Sequence, residues 1–573
     1  MPSSAVTHFF ATFALLGFLA SCCSALAIQT TWEPVIYTSK GAAPVAVDAF
    51  SSSYDASELP NACPQFTQTS QNQSEDCLDL TIYVPKTAAS TSKLPVFFWN
   101  FGGSFYSGES SALDGFALAN AEVSLRWCVG GVACRLMFDL LQNMIVVTAN
   151  YRLGILGWLK YDKYSLEGNL GLKDLIMALE FVQSDIANFG GDPALVTLAG
   201  QSSGAQMITS LLSTPSASSL FKRAIMQSPP LDYADQTVSV ANNFAQYINS
   251  EFFGCRNWNC FQHLSLDTIL SAQEAIVYYA SLSQYAGYGV PAAEPFQTVV
   301  DGTLVTSQYR DLVASGGTPS VEKELLFTTV KDEACLAVAS IFPNVQTNAS
   351  VFTESVDQYF PTRASTILNS GLYNPSLLPD DEDAVRDQLL RLDTDFFWCV
   401  VFISCLSCAA AYLRCDFDRT CPVQQIAVNT TTAYSYNGKV WLGEFDLGIS
   451  YYDNEIPYCV GRVDHQCVCS SFRTLSICPD MVIAARRDDI DVVFNSPPSA
   501  PTSAQSKLIK EVQARWASFA RTGNPNTSGY ITWAPVASSK GDLNVLLLGG
   551  ASDGSSTMTT SQRTEECKIY TTA

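Results

Sequence analysis

Apolar and polar positions along this chain form two kinds of pattern. Short apolar runs bounded by glycine, proline or polar residues are typical of buried strands, and they lie at residues 81–84, 94–99, 144–149 and 195–199. Two longer segments, residues 172–189 and residues 504–520, repeat apolar residues at the spacing of an amphipathic helix. Strands that alternate with helices predict an α/β fold, with a mostly parallel sheet covered on both faces and a more helical portion after about residue 232.

Composition favours one large globular domain. The chain has 573 residues, of which 47% are hydrophobic and 15% charged, so it carries enough apolar material for an extensive core. No internal repeat or linker divides it, and we predict a single domain over residues 28–573. A net charge of −22 disfavours nucleic acids and anionic membrane surfaces as partners, because both would repel the protein.

The first residues have the pattern of a secretory leader. An apolar run at residues 9–20 is followed by the small-x-small sequence Ala25-Leu26-Ala27, and the run is too short for a membrane span. We therefore predict a signal peptide over residues 1–27, a secreted protein and no stable membrane anchor. Candidate glycosylation sites with the Asn-x-Ser/Thr pattern are Asn72, Asn348, Asn429 and Asn526.

The cysteine content agrees with export. Nineteen cysteines are typical of an oxidising compartment. The candidate local disulfides pair Cys63 with Cys77, Cys255 with Cys260, and Cys415 with Cys421. Connectivity does not follow from sequence alone, so these pairings are expectations.

The strongest chemical signal is the sequence Gly-Gln-Ser-Ser-Gly at residues 200–204. It follows an apolar run and precedes a segment that can begin a helix. This context is that of a nucleophile elbow, in which a tight strand-to-helix turn presents the hydroxyl of Ser202 above a sheet. Glycine at both flanking positions lets the strand and the helix approach each other closely.

Further motifs carry a family resemblance. They include SEDCL at residues 74–78, NYRLG at 150–154, GNLGL at 168–172, FGGDP at 189–193, VKDE at 330–333 and FARTGNP at 519–525. With these motifs the chain resembles the type B carboxylesterases, the cholinesterase-like branch of the α/β hydrolases. The resemblance extends over nearly all of the predicted mature chain and implies the α/β-hydrolase fold.

The resemblance also implies a Ser, Glu, His triad. Ser202 would be the nucleophile, and Glu333 would orient a histidine and stabilise its cationic form. The backbone N–H groups of Gly103, Ser104 and Ser203 would form the oxyanion hole. The chain departs from the family pattern at four positions, with Phe101 in place of His, Ser104 and Ala334 in place of Gly, and Gln201 in place of Glu.

The triad histidine is harder to place. The chain has three histidines: His8 is in the predicted leader, His263 precedes the acid in the chain, and His465 lies in the expected region. Two literal alignments of the family's histidine motif put Tyr452 or Arg486 at the histidine position. We favour His465 as the general base.

This assignment depends on reading residues 466–487 as an insertion. The run that ends at His465 resembles the family sequence before the histidine, and residues 488–490 resemble the sequence after it. Similar cysteine-rich segments lie near residues 123–141 and 398–413. Our hypothesis is that the three segments are translated introns of a predicted gene product, and the alternative is that they are long surface loops.

The sequence therefore predicts a secreted serine esterase that forms an acyl-enzyme on Ser202 and acts on a small-molecule or lipid ester. The resemblance implies neither a metal nor a cofactor. The alternative is a catalytically impaired relative that acts as a binding or adhesion module. The altered turn after Phe101 and the displaced histidine favour this alternative, whereas the presence of both Ser202 and Glu333 opposes it.

Overall fold

The computed structural model of the chain describes residues 28–32, 35–36, 41–46, 58–119, 143–231, 234–281, 285–290, 294–317, 323–331, 333, 349–359, 364–373, 388–389, 391–392, 420–433, 440–448, 488–496, 500–536 and 543–560. Some sequence predictions lie outside these residues. They are the leader at residues 1–27, the insertions at residues 123–141, 398–413 and 466–487, the sequon at Asn348, the disulfide candidate Cys415 and the histidine His465.

A ten-stranded sheet runs through the described part of the chain. Its strands are β1 (Ile28–Trp32), β2 (Leu80–Val84), β3 (Leu94–Asn100), β4 (Ile145–Ala149), β5 (Gly191–Gln201), β6 (Arg223–Gln227), β7 (Glu324–Val330), β8 (Val440–Phe445), β9 (Val545–Leu548) and β10 (Thr557–Thr559). Their order in the sheet is β1-β2-β4-β3-β5-β6-β7-β8-β9-β10. Two-residue strands also pair outside this sheet, at Val35–Ile36 with Val45–Ala46, Lys160–Tyr161 with Leu166–Glu167, and Gln236–Thr237 with Val299–Val300.

The strand directions confirm the predicted α/β class. Every neighbouring pair from β4 to β9 is parallel, and antiparallel pairs occur at the two edges. Strand β3 lies between β4 and β5 in the sheet, so the connection from β4 to β5 crosses over β3. From β5 onwards each new strand is added next to the previous one. In sheets of this kind, ligands bind at the carboxyl ends of the strands where the order changes direction.

Helices connect and cover the strands. They are α1 (Phe116–Ala119), α2 (Gly154–Trp158), α3 (Leu170–Asp185), α4 (Ser203–Leu212), α5 (Val238–Ile248), α6 (Trp258–Gln262), α7 (Leu266–Ser281), α8 (Tyr309–Ala314), α9 (Ala349–Tyr359), α10 (Ala364–Asn369), α11 (Thr420–Ala433), α12 (Asp488–Phe494) and α13 (Ser503–Thr522). Single turns of 3-10 helix lie at Ser110–Ala112, Asp162–Tyr164, Ile186–Phe189, Pro215–Ala217 and Ala286–Tyr288, and a π-helical turn at Asn249–Phe253.

The two helices predicted from periodicity are present with clear ends. Helix α3 continues into the 3-10 turn and stops where Gly190 adopts a left-handed φ of 88°. Helix α13 begins with a capping box between Thr502 and Gln505 and ends at Gly523, whose φ is 75°. Both helices lie within a few residues of their predicted bounds because caps and breakers, as well as apolar spacing, are visible in the sequence.

Sequence periodicity missed strand β1 and the strands from β6 to β10. Strands β6 to β9 are buried over most or all of their length, and they lie inside the sheet and not at its edges. A strand that is buried on both faces has a short continuous apolar run and not an alternating pattern, and such a run resembles a helix segment. The more helical reading after residue 232 is therefore incomplete, because this region also supplies four strands of the main sheet.

Two of the predicted cysteine pairs are disulfides. Cys63 is bonded to Cys77 and Cys255 to Cys260. The Cys63–Cys77 disulfide closes a loop in the segment before β2, and its two cysteines are 14 positions apart. By closing this loop it lowers the entropy of the unfolded chain.

Candidate active site

Ser202 lies on a sharp turn between β5 and α4. Its backbone has φ 56° and ψ −131°, a strained region for a residue other than glycine. Two hydrogen bonds hold the turn, from the Ser202 N–H to the Gln227 carbonyl at 3.0 Å and from the Gln206 N–H to the Ser202 carbonyl at 2.9 Å. The structure therefore fixes the serine at the carboxyl end of a central strand and at the first turn of a helix.

The two glycines of the motif are required by close backbone contacts. A Cβ on Gly204 would lie 2.3 Å from the Asn100 carbonyl oxygen and 2.6 Å from that of Phe101. A Cβ on Gly200 would lie 2.8 Å from the same Asn100 oxygen. Any side chain at these positions would push α4 away from β3, and the turn at Ser202 would move with it.

The glycine turn after β3 lies against the serine. A Cβ on Gly102 would be 3.0 Å from the Cβ of Ser202, so the two segments are in contact. The backbone N–H groups of Gly103, Ser104 and Ser203 donate no hydrogen bond to any residue that the structure describes. Within the described part of the chain these three N–H groups are free to donate hydrogen bonds to an oxyanion that forms beside the serine.

The glycine-to-serine departure at position 104 is accommodated by backbone strain. Ser104 and Phe105 both adopt positive φ, at 52° and 64°, and such conformations cost of order 1–3 kcal/mol each. The Phe105 N–H donates to Ser203 Oγ at 3.3 Å, and the Tyr151 hydroxyl donates to the Phe101 carbonyl at 2.8 Å. These contacts hold the turn in place although the glycine is missing.

Glu333 lies just beyond the carboxyl end of β7, two strands from β5. Its side chain is buried, and its Oε1 accepts a hydrogen bond from the Val330 N–H at 3.1 Å. Because the strands from β5 to β7 are parallel, Ser202 and Glu333 lie at the same edge of the sheet.

The chain that follows the predicted histidine segment returns beside the serine. Asp489, in the first turn of α12, is fully buried and accepts a hydrogen bond from Gln227 Nε2 at 2.9 Å. The carbonyl of the same Gln227 holds the Ser202 N–H, and Gln227 Oε1 accepts from Trp516 Nε1 at 3.3 Å. Sequence analysis assigned no role to Gln227, and no local spacing signals a contact between residues 262 positions apart.

Of the two histidines outside the predicted leader, the structure describes His263. It follows α6, its ring is exposed, and its Nδ1 lies 2.7 Å from the Asn259 carbonyl oxygen. This geometry is that of a surface histidine.

Sequence reasoning also missed a pair of buried carboxylates near the elbow. Asp235 is 8% exposed and accepts from Gln206 Nε2 at 3.4 Å. Burial raises the pKa of Asp235 from 3.8 to about 7, opposed by the bond from Gln206 and the charge of Arg310 and reinforced by Asp311 and Glu294. Glu294 is fully buried.

The shift at Asp235 predicts a pH dependence of stability. Between pH 3.8 and about 7 the folded protein keeps a proton that the unfolded chain releases. The stabilisation from this retained proton is therefore complete below pH 3.8 and is lost as pH rises to about 7. The free energy of unfolding should fall by up to about 4 kcal/mol over this range. Urea unfolding across this window should show wild type losing stability relative to Asp235→Asn. An exposed control, Asp267→Asn, should run parallel to wild type, and equal pH slopes for all three proteins would contradict the prediction.

Among the described residues, no three His, Cys, Asp or Glu side chains are grouped so that they could hold a metal ion. No described helix is both long enough and apolar enough to cross a bilayer.

Comparisons with known proteins agree with one another. The family model described as "Carboxylesterase family" matches residues 34–570. Carboxylesterase 1E of Mus musculus is 26% identical over 538 residues, covering 90% of this chain and 84% of the mouse protein. Acetylcholinesterase of Danio rerio is 25% identical over 509 residues, covering 83% of this chain and 72% of the fish protein. A solved PNB esterase structure matches with a TM-score of 0.65 at 21% identity, covering 94% of this chain and 96% of its own, a likeness in fold.

Proposed function

Because this chain belongs to the carboxylesterase family, a family of carboxylic ester hydrolases, we propose that it hydrolyses its ester substrate through an acyl-enzyme on Ser202. The observation that carries the proposal is the backbone of Ser202, which is held at φ 56° between β5 and α4, beside three N–H groups that donate to none of the described residues. A turn serine with no chemical role would not need this strain.

In the first half-reaction, Ser202 Oγ attacks the ester carbonyl carbon and gives its proton to His465, the proposed general base. The carbonyl oxygen becomes an oxyanion, which the N–H groups of Gly103, Ser104 and Ser203 stabilise. The tetrahedral intermediate then expels the alkoxide, which leaves as an alcohol with the proton from His465. The acyl group remains on Ser202.

In the second half-reaction, water attacks the acyl-enzyme. His465 takes a proton from the water and returns it to Ser202 Oγ as the carboxylic acid leaves. Glu333 keeps the imidazole in the required orientation and stabilises it while it is protonated.

Labelling with a fluorophosphonate tests the nucleophile and its base together. Peptide mass spectrometry of the labelled wild-type protein should place the adduct on Ser202. The His465→Ala variant should react at least about 100-fold more slowly, whereas the matched control His263→Ala should react like wild type. An unmodified Ser202 in folded protein would overturn the proposal in favour of the binding-module alternative. Normal labelling of His465→Ala would remove His465 from the mechanism.

We also propose that the protein is secreted and glycosylated. Two of its candidate glycosylation sites differ in how accessible their side-chain amides are. Asn72 is exposed. The Asn526 amide is engaged, since Nδ2 donates to Asn524 Oδ1 and the Trp533 carbonyl, both at 2.9 Å, and Oδ1 accepts from the Trp533 N–H. A glycan on Asn526 would replace an Nδ2 hydrogen and weaken this network.

We therefore expect a glycan on Asn72 and none on Asn526. Enzymatic deglycosylation in heavy-oxygen water, followed by peptide mass spectrometry, reads the occupancy of each site. The Asn72→Gln variant should lose one glycan on a gel, while Asn526→Gln should not change mobility. Occupancy of Asn526 in folded, secreted protein would contradict this prediction.

A further inference from the structure

Two segments that are distant in sequence pack together on α4, the helix that begins directly after Ser202. The short parallel strands place Gln236 opposite Val299. On the same side, Ser210 Oγ in α4 donates to Thr298 Oγ1 at 3.1 Å. The residues just before these strands therefore run along the helix that carries the nucleophile at its start.

Asp235 directly precedes the first of these strands. It is bonded to the side chain of Gln206, and the backbone N–H of Gln206 is bonded to the carbonyl of Ser202. One helical turn thus separates this carboxylate from the serine.

Glu294 precedes the second strand, and the carbonyl of the next residue, Pro295, accepts a hydrogen bond from Gln236 Nε2 at 3.0 Å, which joins the segment of Glu294 to that of Asp235. The charge of Glu294 adds to burial in raising the pKa values of Tyr106 and Tyr151. Tyr106 donates its N–H to the Gly103 carbonyl at 3.1 Å, and the Tyr151 hydroxyl donates to the Phe101 carbonyl. Glu294 is therefore close to residues that shape the proposed oxyanion hole.

The same region contains buried amide groups with unmet hydrogen-bonding capacity. Gln206 and Gln297 are 2% and 1% exposed. Gln206 Oε1 and both amide atoms of Gln297 have no hydrogen-bond partner among the described residues. Leaving such groups buried and unpaired costs about 1–3 kcal/mol each, so they favour a polar ligand in contact with them.

We propose that Glu294 and Asp235 form an acidic wall beside Ser202 that selects esters carrying a protonated amine. The inference rests on the proposed function, because it names a substrate class for the same serine. Ser202 is itself 3% exposed, so its substrate must enter an enclosed site, and side chains enclosed beside the serine can contact it.

An ammonium group fits this wall better than a neutral alkyl group. It supplies three hydrogen-bond donors and a positive charge to a region rich in carboxylate and amide oxygens. An alkyl group of the same size would bury those oxygens without donors, which is unfavourable. Sites that hydrogen-bond a substrate group reject analogues that lack it more strongly than apolar pockets reject a change in size.

Two para-nitrophenyl esters test the proposal, the β-alanyl ester and the butanoyl ester. They place an ammonium group or a methyl group at the same position of the acyl chain. About pH 8 lies above the pKa of about 7 for Asp235, so this carboxylate is mostly ionised while the amine is largely protonated. Wild type should prefer the β-alanyl ester, and Glu294→Gln should lower the ratio of kcat/KM for the β-alanyl ester to kcat/KM for the butanoyl ester by about 10-fold or more.

The control is Glu180→Gln, which removes an exposed carboxylate from α3 and should leave both esters unchanged. Asp235→Asn provides a second wall variant, and a native circular dichroism spectrum with a cooperative urea transition shows that each variant is folded. Equal kcat/KM values for the two esters in wild type, or an unchanged preference in both wall variants, would overturn the acidic wall and leave the esterase proposal intact.

Binding of propylammonium, followed by calorimetry, separates the two proposals because it needs no turnover. Its Kd should rise about 10-fold in Glu294→Gln and stay constant in Glu180→Gln. If this holds while neither ester is hydrolysed, the proposed function fails and the wall stands. If propylammonium does not bind to the wild-type protein, the wall is overturned.

Discussion

Replacing Ser202 with alanine is expected to lower kcat for a para-nitrophenyl ester by about 10⁵- to 10⁶-fold. Alanine removes the atom that forms the acyl-enzyme and leaves the rest of the site in place. The N–H groups of Gly103, Ser104 and Ser203 belong to the backbone, so oxyanion stabilisation and substrate binding persist. The remaining rate should therefore still exceed that of the uncatalysed reaction.

The matched control is Ser213→Ala, at the other end of the same helix. Ser213 is buried, and its hydroxyl has no hydrogen-bond partner among the described residues, so its removal should cost little stability. Both variants should unfold at similar urea concentrations, and Ser213→Ala should keep wild-type kcat. More than about one per cent of wild-type activity in purified Ser202→Ala would show that another group is the nucleophile.

Local sequence chemistry predicted the elbow. Glycines at 200 and 204 are visible in the sequence, and the structure gives the reason for each in backbone contacts below 3 Å. The elements around Ser202 are bounded by glycine and polar residues, which explains why the predicted strands at 94–99 and 195–199 match β3 and β5 closely. A tight turn restricts the residue types at only a few neighbouring positions, so it can be predicted from one sequence.

The acidic wall was not predictable in this way. Asp235 and Glu294 belong to different loops, and they come together because two-residue strands align them on α4. Burial of Asp235, reinforced by the charge of Glu294, raises the pKa of Asp235. Neither carboxylate has a sequence motif that distinguishes it from a surface acid. Proximity that depends on tertiary packing leaves no periodic signal in the chain.

The contact between Gln227 and Asp489 bears on the histidine assignment. The resemblance implies a His-Gly pair followed at once by an acidic residue and an isoleucine. In the structure Asp489 accepts a hydrogen bond from the side chain of Gln227, whose carbonyl accepts one from the Ser202 N–H. His465 lies outside the described residues, so its role stays a proposal. The position of Asp489 supports the part of this reading that puts the chain after residue 487 beside the serine.

Replacing Glu333 with glutamine should lower kcat/KM by about 10⁴-fold. Glutamine keeps an oxygen that can accept the bond from the Val330 N–H, so the end of β7 should keep its conformation. It loses the negative charge that stabilises an imidazolium, and its amide can favour the wrong histidine tautomer. The matched control is Glu324→Gln at the opposite end of the same strand, where Glu324 pairs with Arg223 at 3.5 Å. This control should keep activity within about threefold of wild type, since it removes a partly exposed ion pair.

The pH profile of the residual activity distinguishes orientation of the histidine from a structural role of Glu333. A neighbouring carboxylate raises the pKa of an imidazole by stabilising its charged form. Without that charge the base loses its proton at lower pH, so the acidic limb of kcat/KM should move to lower pH in Glu333→Gln. A variant that had only lost stability would show a lower profile with the limb unmoved. An unmoved limb, or a loss of activity smaller than about tenfold, would therefore contradict the role proposed for Glu333.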